Sequence, residues 1–130
     1  GLTAAVLVYL QSLLGGLVAS RWALHQCFGI AELCRVMNSH LAGVVPPTLA
    51  VITLVVMVWR TSALHPLLRN LANLSCLLVL IQIGLGVMTF RLRLQIEILT
   101  VSHQAVGAAL LGTLVAFTVI ALRDRQVINV

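Results

Sequence analysis

Lysine is absent from this chain. The eight basic residues are all arginine, and only three acids oppose them: Glu32, Glu97 and Asp124. Charged residues fill 8% of the 130 positions, against 61% hydrophobic and a mean hydropathy of +1.11. A soluble domain carries about 25% charged residues, so water is not the solvent for most of this surface. The scarcity of acids also removes several chemistries. Zinc takes four ligands from Cys, His or carboxylate, and few are on offer. A Ser-His-Asp arrangement fails because Asp124 lies in the far tail. A proton path through a membrane wants intramembrane carboxylates, and there are none. A net charge of +5 and a pI near 10.6 raise nucleic acid as a partner. The arginines, however, are scattered at the ends of apolar runs, as an integral membrane protein places them. Nucleic-acid binding is excluded.

Four runs are long enough to cross a bilayer, which takes about 20 apolar residues. They cover roughly Leu2–Leu24, Met37–Trp59, Leu71–Phe90 and Ile98–Leu122. None has the basic start, short apolar core and cleavage site of a signal peptide. The opening "GLTAAVLVYL", without Met or hydrophilic lead, suggests a fragment of a longer protein. The connections "HQCFGIAELCRV", "RTSALHPLLRN" and "RLRLQIE" are short, which forces antiparallel neighbours. The expected fold is therefore an all-α integral membrane domain: a single up-down-up-down bundle of four transmembrane helices over residues 1–130. Loops one and three share one side; loop two and the tail "RDRQVINV" share the other. Arg21, Arg35, Arg91 and Arg93 balance Arg60, Arg69, Arg123 and Arg125, so the positive-inside rule gives no orientation.

Cys27 and Cys34 are separated by six residues within the first loop. A bridge between them would put that loop on the oxidising side of the membrane; two unpaired thiols are the other reading. Cys76, in mid-helix, has no evident partner and reads as a packing residue.

Rare letters recur at a fixed spacing. A shift of 63 positions lays Ser39, His40, Ala42 and Arg60 on Ser102, His103, Ala105 and Arg123. A shift of 70 lays Gly16, Arg21 and Leu24 on Gly86, Arg91 and Leu94. These matches indicate two tandem helical hairpins related by an axis along the membrane normal. His40 and His103 then lie at matching depth, near the mouths of equivalent helices. An ionisable side chain there is a functional hypothesis by default. Two inward-facing imidazoles in an apolar space suit a haem iron, whose commonest protein ligand is axial imidazole. The alternative is a purely structural pair. Gly43 and Gly107 follow the histidines by one turn, on the same faces, where they leave porphyrin clearance or allow close helix packing. Gly15, Gly16, Gly84 and Gly86 on the partner helices admit the same two readings. Arg21, Arg91 and Arg93 lie at the histidine end, as propionate contacts or as interfacial anchors. His25 and His65 sit in loops and read as solvated. Pro46 and Pro47 remove backbone donors and predict a kink just past His40.

Read together, "QSLLGGLVASRWALHQC", "NSHLAGVVPP", "RLRLQIEILTVSHQAVGA" and the C-x6-C loop resemble the carboxy-terminal half of the haem A synthase family, cyanobacterial type. The resemblance runs from about Tyr9 to Arg125. It implies the carboxy-terminal half of an eight-helix membrane oxidoreductase that converts a methyl group of haem O to the formyl group of haem A. It further implies a haem b held by His40 and His103, and a Cys27–Cys34 disulfide on the extracytoplasmic side. The membrane would be the bacterial cytoplasmic membrane or the thylakoid. The implied partners are haem, lipid, the amino-terminal half, an electron donor and haem O synthase. One departure bears on activity. The amino-terminal half of the family carries Glu-x-x-His-Arg, with a glutamate proposed to act in catalysis; here those positions hold Met37 and Leu41. The resemblance thus assigns no catalytic residue to this half, and the fragment alone is expected to be inactive. A bis-histidine cytochrome that only transfers electrons is the alternative, and a cofactor-free subunit a third.

Overall fold

The structure is a computed structural model and describes residues 1–20, 34–61 and 65–128. Among these residues five helices follow in order: α1 (Leu2–Ala19), α2 (Cys34–Ala42), α3 (Val45–Arg60), α4 (Pro66–Arg91) and α5 (Glu97–Ile128). Helices α2 and α3 run on as one span, so four apolar segments are long enough to cross a membrane: Leu2–Ala19, Arg35–Arg60, Pro66–Arg91 and Glu97–Asp124. Their mean hydropathies lie between 1.9 and 2.3. Each span packs on its two neighbours in a ring, α4 on α5 most extensively. The described residues form an all-helical four-span bundle.

The break between α2 and α3 follows from the two prolines. Pro46 and Pro47 have no N–H to give to carbonyls one turn back, so a helix arriving from His40 cannot continue unaltered. It stops at Ala42 and restarts at Val45, which places the prolines in the first turn, where missing donors cost little. The expected kink is thus a full helix boundary. Both ends are tied: Gly43 N donates to Ser39 O at 2.8 Å, and Thr48 Oγ1 to Val44 O at 2.8 Å.

Other boundaries moved outward. His65 caps α4 by accepting from Leu67 N at 3.2 Å, with Pro66 as the first helical residue. Much of the expected second loop is therefore helix, and the expected tail continues α5 to Ile128. Between α4 and α5 the chain turns tightly, with Arg93 (φ 50°) and Leu94 (φ 56°) in the left-handed region. At the opposite end, Trp59 Nε1 donates to Asn73 Oδ1 at 2.9 Å. The Arg69 guanidinium lies 6.0 Å from the Trp59 ring and donates to Thr61 O at 3.2 Å. These contacts fasten α3 to α4.

The core is built of small and branched side chains: Ala4, Ala5, Val8, Val51, Val79, Leu110 and Leu114. A second cluster, Val58, Leu68, Ala72 and Phe117, fills the end remote from the histidines. Several hydroxyls within the spans donate to carbonyls one turn back, as Ser12 does to Val8 O, Ser75 to Leu71 O and Thr89 to Leu85 O. No water is needed to satisfy them, which suits a bilayer interior. The outer surface is apolar too, with Leu13, Ile52, Leu80 and Val115 all exposed.

Candidate functional site

His40 and His103 face each other inside the bundle. Their ring centroids are 6.4 Å apart and their planes stand at 88°. The expectation that the repeat brings the two imidazoles together agrees with this geometry. Around them lies a cleft of about 710 Å³, within the range of small-molecule and cofactor sites (about 300–1,000 Å³). Among the described residues, no Asp or Glu lines it.

Each ring rests on a glycine of the preceding helix in its hairpin. A Cβ at Gly15 would stand 2.9 Å from His40 Cε1, and one at Gly86 would stand 3.0 Å from His103 Cε1. Each ring also meets a glutamine one turn earlier on that helix. Gln11 Nε2 donates to the His40 carbonyl oxygen at 2.6 Å and lies 3.0 Å from His40 Nδ1. Gln82 Nε2 lies 3.4 Å from His103 Nε2. Gly43 and Gly107 make room for these glutamines: a Cβ at Gly43 would collide with Gln11 Oε1, and one at Gly107 would come within 3.0 Å of Gln82 Nε2.

This pairing revises the register of the repeat. Gln11 and Gln82, like Gly15 and Gly86, are 71 positions apart, whereas a shift of 70 lays Gly16 on Gly86. Gly16 has no neighbour where its Cβ would be. One residue turns a helix face by about 100°, enough to carry Gly16 off the histidine. At 71, buried Ala4, Val8 and Val18 also match buried Ser75, Val79 and Thr89. The two glutamines were missed as site residues. Their signal is a repeated Q-x-x-L-G, in "QSLLG" and "QIGLG", and polar glutamine in mid-span is rare enough to be read.

Satisfaction is unequal in the two hairpins. Gln82 Oε1, His103 Nδ1 and Thr100 Oγ1 are buried without a hydrogen-bond partner, and all three residues line the cleft. Buried polar atoms are mostly paired in proteins, so this wall of the cleft has bonding capacity to spare. Of the arginines, Arg91 lines the cleft and Arg93 does not. Arg21 lies outside the described residues, as do Cys27, His25 and Glu32, so the expected Cys27–Cys34 pairing also falls on a residue outside them. Cys76 is unpaired and half-buried.

Among the described residues, no three of His, Cys, Asp and Glu gather into a metal site. A metal here would need most of its ligands from a cofactor. The chain has no match among protein-family models, curated proteins or solved structures.

Proposed function

We propose that this bundle holds a haem b between His40 and His103 and serves as the cofactor-binding, carboxy-terminal half of a membrane oxidoreductase of the haem A synthase type. The observation that carries the proposal is the facing pair of imidazoles. A metal-bound imidazole nitrogen lies about 2 Å from its metal and about 1 Å in front of its ring centre, so two rings across one metal stand about 6 Å apart. The pair here stands at 6.4 Å. The glycines beneath the rings and the spare polar atoms of Gln82 and Thr100 suit a bulky, flat, mostly apolar guest. Haem would supply the redox-active iron and its four remaining ligands. The chain's own residues would ligate through His40 and His103, exclude water with the apolar walls and meet a propionate with Arg91.

Under this reading the haem O methyl group is oxidised by the other half of the enzyme, with an electron donor and haem O synthase as further partners. The Cys27–Cys34 loop would form a disulfide on the extracytoplasmic side of a bacterial cytoplasmic or thylakoid membrane. A second reading, a bis-histidine cytochrome acting only in electron transfer, draws support from the lack of a carboxylate on the described cleft wall. Electron transfer asks for no acid or base.

The test is the reduced-minus-oxidised visible spectrum of the purified chain from haem-sufficient membranes, beside His40→Ala and His103→Ala. A low-spin b-type spectrum, altered or lost in each variant, is expected. A folded but colourless parent would refute haem binding by the chain. Restoration of haem O oxidation by adding an amino-terminal half with Glu-x-x-His-Arg would separate the synthase reading from the cytochrome.

A further inference from the structure

We infer that Gln11 is a positioning residue that makes the two imidazoles chemically unequal, with His103 the standing ligand and His40 the conditional one; this rests on the haem reading above. A backbone C=O only accepts, so the end of the Gln11 amide that lies 2.6 Å from His40 O is its NH2 group. The same nitrogen lies 3.0 Å from His40 Nδ1. A second N–H aimed at Nδ1 requires a lone pair there, which leaves the ring's proton on Nε2. The hydrogen bond made by one ring nitrogen sets the state of the other. As held, His40 has no lone pair to offer through Nε2.

His103 is held otherwise. Gln82 makes one long contact with it, 3.4 Å, beyond the usual hydrogen-bond range of about 2.7–3.2 Å. Neither Gln82 Oε1 nor His103 Nδ1 has a partner. Nothing pins that amide or that tautomer, and Nε2 of His103 is free to present a lone pair. Quasi-equivalent glutamines on quasi-equivalent helices thus do different work because only Gln11 is anchored to its histidine's own carbonyl.

For His40 to ligate through Nε2, its ring proton would have to move from Nε2 to Nδ1 and the Gln11 N–H···Nδ1 hydrogen bond would have to break. Charge on the ring is unchanged and no electron is transferred. A ligand held against that cost exchanges more readily than His103. The position on the His40 side would therefore be the one an added ligand takes.

The full chain, labelled with 15N-histidine, prepared without haem and placed in lipid nanodiscs, tests this directly by nitrogen NMR. Resonances are assigned with single His→Gln variants. His40 is expected as a single Nε2–H tautomer, and His103 as an exchanging mixture of the two. Gln11→Met, which keeps the length but removes the N–H donors, is expected to move His40 toward Nδ1–H, whereas Gln82→Met leaves His40 unchanged. In the haem-loaded ferrous protein, Gln11→Met is expected to weaken carbon monoxide binding at least about tenfold, because His40 then competes better; changes around a metal ligand typically alter affinity by about 10–100-fold. An Nδ1–H tautomer at His40 in the parent would overturn the assignment, and so would unchanged or stronger carbon monoxide binding in Gln11→Met. The parent tautomer needs no variant, so a Gln11→Met that fails to fold still leaves the inference open to refutation. A colourless parent with His40 in the Nε2–H form would sink the haem reading and the ranking of the two ligands with it, while upholding Gln11 as the residue that fixes the His40 tautomer. A coloured parent with His40 in the Nδ1–H form would do the reverse.

Discussion

Gly15 lies directly beneath His40, so close that a single added carbon would stand 2.9 Å from Cε1 of the ring. Gly86 repeats the relationship with His103 at 3.0 Å. In each hairpin, therefore, the first helix supplies a seat and the second helix supplies the imidazole that sits on it. Missing side chains at these two positions bring ring and backbone together, a use of glycine common where membrane helices approach closely.

Gly15→Ala and Gly86→Ala should push the imidazoles off their seats. Overpacking of this kind costs about 1–3 kcal/mol. The expected result is weaker haem binding in titrations of both variants and a disturbed low-spin spectrum. Gly16 and Gly84 have nothing within 4 Å of a new Cβ. Gly84→Ala, off the cleft, should leave the spectrum unchanged and raise helix stability by up to about 1 kcal/mol, the propensity difference between the two residues, whereas Gly16→Ala adds its methyl to the cleft wall without touching His40. Equal effects at all four positions would contradict the 71-residue register.

Arg91 and Arg93 are two residues apart and were indistinguishable as propionate contacts by position. Only Arg91 lines the cleft, at the last turn of α4, while Arg93 stands exposed in the turn beyond. Arg91→Gln is expected to lower haem affinity about tenfold, one charge-assisted hydrogen bond's worth. Arg93→Gln should change it little. Arg93 has a different vulnerability, its left-handed φ of 50°. Arg93→Gly should therefore stabilise the turn by up to about 1 kcal/mol, read as a higher denaturant midpoint. Loss of stability in Arg93→Gly would show that the arginine side chain holds the turn.

The four spans were legible because hydropathy over about 20 residues is a strong signal. Their ends were less so. Helix α4 starts at Pro66, well before the apolar run at Leu71, because proline is favoured in a first turn and His65 supplies a cap. The paired histidines could be read from their shared depth and spacing. The glutamines carry a signal in the repeated Q-x-x-L-G, but their role could not be read, because a mid-span glutamine has no obvious partner until the helix facing it is known. The same holds for the glycines: that Gly43 and Gly107 serve Gln11 and Gln82, and Gly15 and Gly86 the imidazoles, depends on helix rotation, which a shift of one residue conceals.

In lipid there is little hydrophobic drive between helices, since the surroundings are as apolar as the side chains; packing itself carries the association. Leu114 is fully buried at the centre of the bundle beside Val51, and Leu80 is 63% exposed on its outside. Truncating Leu114 to Ala opens a cavity that neighbouring rigid spans cannot close, and should cost about 2 kcal/mol, the lower end of the range for buried leucine because the transfer contribution is small here. Leu80→Ala removes contacts that lipid readily replaces and should cost under about 0.5 kcal/mol. Unfolding of both variants in mixed micelles or bicelles measures the difference. A cost at Leu80 equal to that at Leu114 would mean that the outer face is packed against protein, as it would be if a second copy or another domain covered it.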